Sequence, residues 1–250
     1  MLARYDLQDA YGKATPCTSS IYNQRLAAPT SSYPPMFDND YVSQVGSLGY
    51  LRRTRPDLCV ALGITAQFSK LGRHGPPHYR ALRNIMRYCK ATMHHGLLYT
   101  STNKLPTDPW DVSAHVDSDW ATYSWKATRR SRSGWLIYLN KNLVDYGSKL
   151  QTSVALSSAE AEYMALSQLI KILLWLINII EAIPGQFVRR PVPIYIDNKP
   201  SINLANNHAA SKFTRHIGFA HHFLRDYCAG ENKLFNLVWR ETSSQRATKP

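Results

Sequence analysis

The spacing of apolar residues divides the chain into stretches of different character. Residues 1–40 are rich in Pro, Ser, Thr and Asn and have no sustained period, which predicts an extended, weakly ordered segment. Within residues 41–100, apolar side chains recur at helical spacing from Tyr41 to Leu51 and from Leu58 to Phe68, and a further such run follows Pro76-Pro77. This pattern predicts a small helical subdomain.

After a break at residues 101–112 the pattern becomes that of an α/β domain. Two prolines within four residues cannot lie in a continuous helix or central strand, so this segment is predicted to be a linker. Asn140-Lys141-Asn142 has the turn chemistry of a hairpin. In residues 113–250, strands are predicted at 113–117, 134–139, 143–147, 192–197 and 233–239, and helices at 157–183, 200–206 and 216–228. This order predicts an α/β fold in which the strand ending at Asp197 is buried on both faces.

The amino-acid composition predicts that the protein binds a polyanion. The 250 residues include 30 Lys and Arg against 17 Asp and Glu, a formal net charge of +13, and the 44% apolar content can build a core. The positive excess favours nucleic acid over a neutral small molecule as partner. The four cysteines form no C-x-x-C pair, so neither a zinc knuckle nor a disulfide framework is expected, and an intracellular location, cytoplasmic or nuclear, is predicted.

No part of the sequence is predicted to enter a membrane. The most apolar stretch, Leu169–Ile180, is interrupted by Lys171 and is shorter than the roughly 20 residues that a bilayer requires. The N-terminal residues lack the apolar run of a signal peptide. The apolar stretch is therefore predicted to be a buried core helix.

Acidic residues, which are scarce in this chain, stand at three places where predicted elements begin or end. Asp117 and Asp119 end the first strand, Glu160 and Glu162 open the long helix, and Asp197 ends the fourth strand. Mg²⁺ prefers hard oxygen ligands, and two-metal hydrolysis of a phosphodiester needs carboxylates that converge from different elements. These residues are therefore candidate metal ligands.

Local geometry separates the two glutamates but not the two aspartates. Ser157 and Glu160 fit a capping box, in which both side chains accept hydrogen bonds from backbone N–H groups at the start of the helix. Glu162 lies about 200° further round the helix, so only one glutamate can join an inward cluster, and we assign that role to Glu162. A strand puts Asp117 and Asp119 on one face, so periodicity cannot choose between them.

Five motifs, in order along the chain, resemble the RNase H region of copia-type retrotransposon Pol polyproteins. They are Val116-Asp117-Ser118-Asp119-Trp120-Ala121, Ser131-Arg132-Ser133-Gly134-Trp135, the run from Ala155 to Leu166, Ile194-Tyr195-Ile196-Asp197-Asn198, and Thr214-Arg215-His216-Ile217. Upstream, the segments Gln44–Leu51, Thr54–Leu58, Arg87–Thr92 and His95–Tyr99 resemble the part of that family that joins reverse transcriptase to RNase H.

The resemblance implies both a fold and a chemistry. The fold is an RNase H-like mixed five-stranded sheet with flanking helices, preceded by a helical remnant of the reverse-transcriptase connection. Asp117, Glu162 and Asp197 are implied to be catalytic and to bind two Mg²⁺ or Mn²⁺ ions, with the RNA strand of an RNA/DNA hybrid as the substrate. Asp119 and Glu160 match the motifs but are not expected to hold metal.

Clustered arginines are candidates for contacts to the phosphates of that nucleic acid. The alternative for each of them is a solvated charge on the protein surface. The candidates are Arg129, Arg130 and Arg132, which precede the second predicted strand, and Arg80, Arg83 and Arg87 on the third predicted helix.

Two departures from the family pattern lower the expected activity. Where the family reads Ala-Asp-Ile-Leu-Thr-Lys-Pro and supplies a fourth acid, this chain reads Ser244-Gln245-Arg246-Ala247-Thr248-Lys249-Pro250, and Glu241 stands several residues too early. Loss of that carboxylate weakens binding of the second ion, so nuclease activity is expected to be reduced or absent. The alternative function is an inactive nucleic-acid-binding remnant. The chain has no Asp-Asp dipeptide, so DNA synthesis would require the upstream polymerase region of a full polyprotein.

Overall fold

The computed structural model describes the chain as two units. One is built on Met1–Leu97 and the other on Leu98–Thr122 and Thr128–Lys249. The domain limits expected from the sequence stay a prediction. The described residues are 5, 7–17, 40–70, 73–102, 104–105, 107–120, 130–206, 218–231 and 233–241.

The first unit is helical. It contains α1 (Asp40–Leu51), α2 (Cys59–Thr65) and α3 (Pro76–Ala91), with 3₁₀ turns at Pro56–Leu58 and Ala66–Phe68 on either side of α2. Each helix turns an apolar face inward, which removes those side chains from water and supplies the main stabilising term. The core of this unit includes Tyr41, Leu48, Leu58, Leu62, Leu82, Ile85 and Met86.

The described part of the N-terminal segment is held against α3. Residues 7–17 contain no helix or strand, but Lys90 Nζ donates a hydrogen bond to the carbonyl oxygen of Ala10 at 2.9 Å. Gly12 approaches α3 so closely that a Cβ added to it would lie 2.7 Å from the Cβ of Ala91. Contacts to the helix therefore order these residues without regular secondary structure.

The second unit contains a five-stranded sheet in the order β3-β2-β1-β4-β5. The strands are β1 (Val112–Asp119), β2 (Arg132–Leu139), β3 (Asn142–Leu150), β4 (Val192–Ile196) and β5 (Phe235–Trp239). The first three strands pair antiparallel, whereas β4 runs parallel to both β1 and β5. The predicted RNase H-like mixed sheet of five strands is confirmed.

A tight turn joins β2 to β3. Asn140 has φ 47° and Lys141 has φ 67°, so both central residues are left-handed, as a type I′ hairpin turn requires. Across the same hairpin, Trp135 pairs with Gly147, and its indole Nε1 donates to Asp145 Oδ2 at 2.8 Å. The indole packs directly on the glycine, because an added Cβ at Gly147 would lie 2.2 Å from the ring.

Three helices complete the second unit: α4 (Ser158–Glu181), α5 (Lys199–Asn206) and α6 (Gly218–Cys228). The buried side of α4 joins the inner faces of β1 and β4 in a single core. That core includes Val112, Ala114, Val116, Tyr163, Leu166, Leu169, Ile170, Leu173, Val192, Ile194, Ile196 and Phe235. The strict alternation along β1 and β4 is what puts their small and branched side chains on one face.

By length and composition, α4 is apolar enough to cross a membrane. The helix has 24 residues, so it is longer than its most apolar stretch, Leu169–Ile180. Half of its most apolar window is buried inside the fold, and core helices of soluble proteins have the same properties. This property of the helix is therefore weak evidence for a membrane span.

Candidate metal centre

The parallel pairing of two neighbouring strands brings two of the predicted acids to one edge of the sheet. Asp117 lies near the end of β1 and is 6% exposed. Asp197 follows the last residue of β4 directly and is half-buried. Since β1 and β4 run in the same direction, with His115 opposite Tyr195, their carboxyl ends meet at this edge.

The start of α4 determines which glutamate faces inward. Ser157 caps the helix by accepting a hydrogen bond from the N–H of Glu160 at 3.1 Å. Glu160 Oε2 accepts in turn from the N–H of Leu156 at 2.7 Å, one residue earlier than the capping box predicts. Glu160 thus remains half-buried in the first turn, while Glu162 points inward and is 5% exposed.

The structure brings Asp117, Glu162 and Asp197 together. Each offers a carboxylate oxygen, and these three oxygens all lie within 4.8 Å of one another. In the part of the chain that the structure describes, no other acid joins this group, and Asp119, Glu160 and Glu241 lie outside it. The segment 242–250, where the sequence departs from the family pattern, lies outside the described residues.

The pKa of Glu162 is strongly raised. Burial, followed by the nearby charge of Asp117 and a hydrogen bond with it, raises the pKa of Glu162 to about 9. Two donors from Ser118 act in the opposite direction: its N–H lies 2.7 Å and its hydroxyl 2.9 Å from Glu162 Oε1. Without a cation, the Asp117–Glu162 pair therefore retains a proton at neutral pH.

These residues fit a divalent cation. Glu162 Oε2 is buried, and no described residue donates a hydrogen bond to it. A buried carboxylate oxygen with no donor is costly unless a proton or a metal ion meets it. The ligand set consists of carboxylates alone, which suits Mg²⁺ or Mn²⁺ better than the softer metals.

The predicted phosphate-binding arginines are dispersed. Arg132 is 4% exposed, and its Nη1 lies 3.4 Å from both the carbonyl and the hydroxyl oxygen of Ser148. Arg130 is half-buried, and Arg129 lies outside the described residues. Of this cluster, the structure thus places Arg132 inside the sheet packing.

The arginines of α3 are more accessible. Arg80 and Arg83 are exposed on one side of the helix. Arg87 is half-buried and donates its Nε to the carbonyl oxygen of Tyr11 at 2.5 Å, so one of its donors is already used. The first two are therefore better placed for contacts with solvent or a ligand.

Ser118 is the residue that sequence reasoning missed. A strand period of two puts Asp117 and Asp119 on one face and Ser118 on the other. The N–H of Ser118 and its hydroxyl nevertheless both reach Glu162. No spacing in the sequence signals this contact, because it depends on how α4 crosses the end of β1.

Comparison with known proteins gives relatives along the whole chain. No family model matches it. The retrovirus-related Pol polyprotein from transposon RE1 of Arabidopsis thaliana is 29% identical over 256 residues, which cover 100% of this chain and 16% of that polyprotein. The secreted RxLR effector protein 161 of Plasmopara viticola is 42% identical over 137 residues, which cover 54% of this chain and 90% of that protein.

Comparison with solved structures gives a weaker likeness. LC11-RNase H1, isolated from compost by a metagenomic approach, is 12% identical, and the match covers 53% of this chain and 86% of that one with a TM-score of 0.35. The description of the fold therefore depends on the strand order above. The chain itself spans about one sixth of the length of the polyproteins that it resembles.

Proposed function

Because the chain belongs to the retrovirus-related Pol polyproteins of retrotransposons, we propose that its RNase H-like domain hydrolyses the RNA strand of RNA/DNA hybrids. The catalytic residues in this proposal are Asp117, Glu162 and Asp197, acting as ligands of Mg²⁺ or Mn²⁺. The observation that carries it is the grouping of their three oxygens within 4.8 Å at the carboxyl edge of the sheet.

Each acid contributes differently to such a site. Mg²⁺ or Mn²⁺ ions held by these three carboxylates would activate a water molecule and offset the negative charge of the departing sugar oxygen. Ser118 fixes Glu162 so that its Oε1 is occupied and its buried Oε2 has no protein donor. Asp117 is buried beside it, whereas the half-buried Asp197 lies closer to solvent. Of the three acids, Asp197 is therefore the one most accessible to a substrate phosphate.

A nucleic acid is the partner that the charge supports. The net charge of +13 attracts a polyanion, and Arg80, Arg83 and Arg130 are at least partly accessible to phosphates. Discrimination of RNA from DNA would require contacts to 2′-hydroxyl groups. We therefore take the hybrid duplex as the substrate because of the family and the carboxylate site together.

Turnover is proposed to be slow. The sequence has no acid in residues 242–250, where the family supplies a fourth carboxylate, and it carries Arg246 there. A second ion then has fewer negative ligands and a more positive surrounding, which lowers its occupancy. The alternative function, an inactive nucleic-acid-binding remnant, is the limiting case in which the second ion never binds.

The test is cleavage of an end-labelled RNA strand annealed to DNA, at increasing Mg²⁺ and Mn²⁺. We expect slow, metal-dependent cutting of the RNA that Asp117→Asn abolishes and that the matched Glu160→Gln leaves unchanged. Salt-sensitive binding of the hybrid without any cutting would support the inactive remnant. Affinity for the hybrid no greater than for heparin would contradict both functions.

A further inference from the structure

A lysine and a tryptophan form a pair next to the third acid of the site. Lys199 is the first residue of α5, two positions after Asp197, and its side chain is exposed. Its Nζ lies 4.4 Å from the ring centroid of Trp239, the last residue of β5. The ammonium group is therefore held over an aromatic face.

The tryptophan is tied to the metal centre in its turn. Trp239 Nε1 donates a hydrogen bond to the backbone carbonyl oxygen of Asp197 at 3.1 Å. Trp239 is 47% exposed, so its indole lies at the protein surface. The same indole is hydrogen-bonded to the residue that carries the third carboxylate. Trp239 thus connects the ammonium group of Lys199 to Asp197, the most accessible acid of the site.

Among the described residues, no acid forms an ion pair with Lys199. The ion pairs among the described residues join Arg55 to Asp57, Arg189 to Asp111 and Arg190 to Glu181, and Lys199 is in none of them. Opposite charges attract, so a lysine two positions from a carboxylate in sequence could pair with it. Here the indole face holds the ammonium group instead, and once cations occupy the carboxylates its charge is available to an anion.

We propose that Lys199 is a positioning residue that binds a backbone phosphate of the nucleic acid beside the metal centre. Lysine is a compact point charge that suits phosphate, and contacts to phosphates fix the register of a nucleic acid on a protein. Trp239 restricts the side chain before the ligand arrives, so less rotamer freedom is lost on binding. This inference rests on the proposed function.

The chain offers a matched control for the test. Lys104 Nζ lies 4.1 Å from the ring centroid of Trp110 in the same unit, and Trp110 stands before the start of β1, at the opposite end of that strand from Asp117. Lys104→Met and Lys199→Met remove the same charge and the same kind of aromatic contact. Only Lys199 is beside the carboxylates.

The experiment measures binding of poly(rA)/poly(dT) to the full chain as a function of salt. Ca²⁺ replaces Mg²⁺, so that the carboxylates are occupied without efficient hydrolysis. Lys199→Met is expected to weaken binding about fivefold near 0.1 M salt. It is also expected to reduce the slope of log affinity against log salt by about 0.9, the value of one phosphate contact. Lys199→Arg should retain the slope, and Lys104→Met should leave it unchanged.

The outcomes separate this inference from the proposed function. If the unaltered chain binds and cuts the hybrid but Lys199→Met behaves as Lys104→Met does, the assignment of Lys199 is wrong and the function stands. If the unaltered chain shows no salt-dependent preference for the hybrid over heparin, both the assignment of Lys199 and the proposed function are wrong. A lower slope for Lys199→Met alone, restored by Lys199→Arg at an unchanged melting temperature, supports the phosphate contact.

Discussion

Ser118 donates two hydrogen bonds to a single oxygen of Glu162, one from its backbone N–H at 2.7 Å and one from its hydroxyl at 2.9 Å. This arrangement ties the first turns of α4 to the end of β1. It also leaves Glu162 Oε2 without a donor from the protein. Ser118 thus fixes one carboxylate oxygen of Glu162.

Removal of the Ser118 hydroxyl should weaken the metal site more than the fold. In Ser118→Ala the backbone N–H bond remains, so the loss in the free energy of unfolding is expected to be about 1 kcal/mol. The side chain of Glu162 becomes less restricted, and Mn²⁺ affinity by calorimetry should fall several-fold. Ser153→Ala, at an exposed hydroxyl, is the control. Unchanged Mn²⁺ affinity in Ser118→Ala would contradict the positioning role.

Neutralisation of Glu162 should stabilise the metal-free protein at high pH. Burial and Asp117 raise the pKa of Glu162 from an ordinary 4.5 to about 9 in the folded state. An acid with a raised folded pKa contributes stability that is complete below its unfolded pKa and is lost as pH rises through the folded one. The natural protein should therefore lose stability between pH 4.5 and 9.

The side chain at position 162 no longer titrates in Glu162→Gln, so this variant should not lose stability as the pH rises from 4.5 to 9. In EDTA it is expected to be more stable than the natural protein by about 3 kcal/mol near pH 7, with little difference near pH 4.5. Thermal melts across this range measure the effect, and Glu160→Gln, at a half-buried acid outside the metal site, is the control. Added Mg²⁺ should stabilise the natural protein alone. A Glu162→Gln gain that is independent of pH would show that burial does not perturb this carboxyl group.

The candidate site was largely predictable from residue types and helical geometry. The angle between Glu160 and Glu162 was enough to assign one to the helix start and the other to the interior, and the structure has both there. The strand period could not separate Asp117 from Asp119, because both lie on one face of β1. The choice between them depends on how α4 packs on the sheet and where β4 ends beside β1. No local sequence pattern encodes either feature.

The strands and the hairpin turn of the sheet were predictable from the sequence, but the burial of individual side chains was not. Each predicted strand lies within a few residues of the observed one, and the hairpin turn at Asn140 and Lys141 has the left-handed geometry expected of it. The burial of Arg132 was not predictable, since an arginine in a basic run is normally solvated. Its contact with Ser148 is created by pairing of β2 with β3.

An ion-pair network in the first unit should make its stability sensitive to acid. Arg55, 8% exposed, donates to both carboxylate oxygens of Asp57, and Tyr88 donates to Oδ2 of Asp57 at 2.7 Å. Burial by itself raises the pKa of Asp57, but the hydrogen bonds from Arg55 and Tyr88 outweigh it and lower the pKa below 3.8. Stability from this group is therefore present above pH 3.8 and is lost as pH falls through the folded pKa.

Asp57→Asn should remove that contribution at neutral pH. The expected loss is about 2 kcal/mol, because a partly buried guanidinium group loses its charged partner. Hydrogen exchange of amides in α3 is the measurement, since this helix carries Tyr88, and Asp9→Asn at an exposed acid is the control. Equal protection of α3 in Asp57→Asn and Asp9→Asn would mean that the network does not stabilise the unit.

The contact between Trp135 and Gly147 should make the hairpin intolerant of any side chain at position 147. A Cβ there would lie 2.2 Å from the indole, so Gly147→Ala must displace the ring and break its hydrogen bond to Asp145. The expected loss is about 2 kcal/mol, since overpacking forces the ring off its rotamer. In a Trp135→Leu background the same change should cost less than about 0.5 kcal/mol. Urea unfolding of the four proteins in this cycle measures the coupling, and additive losses would show that the indole does not restrict position 147.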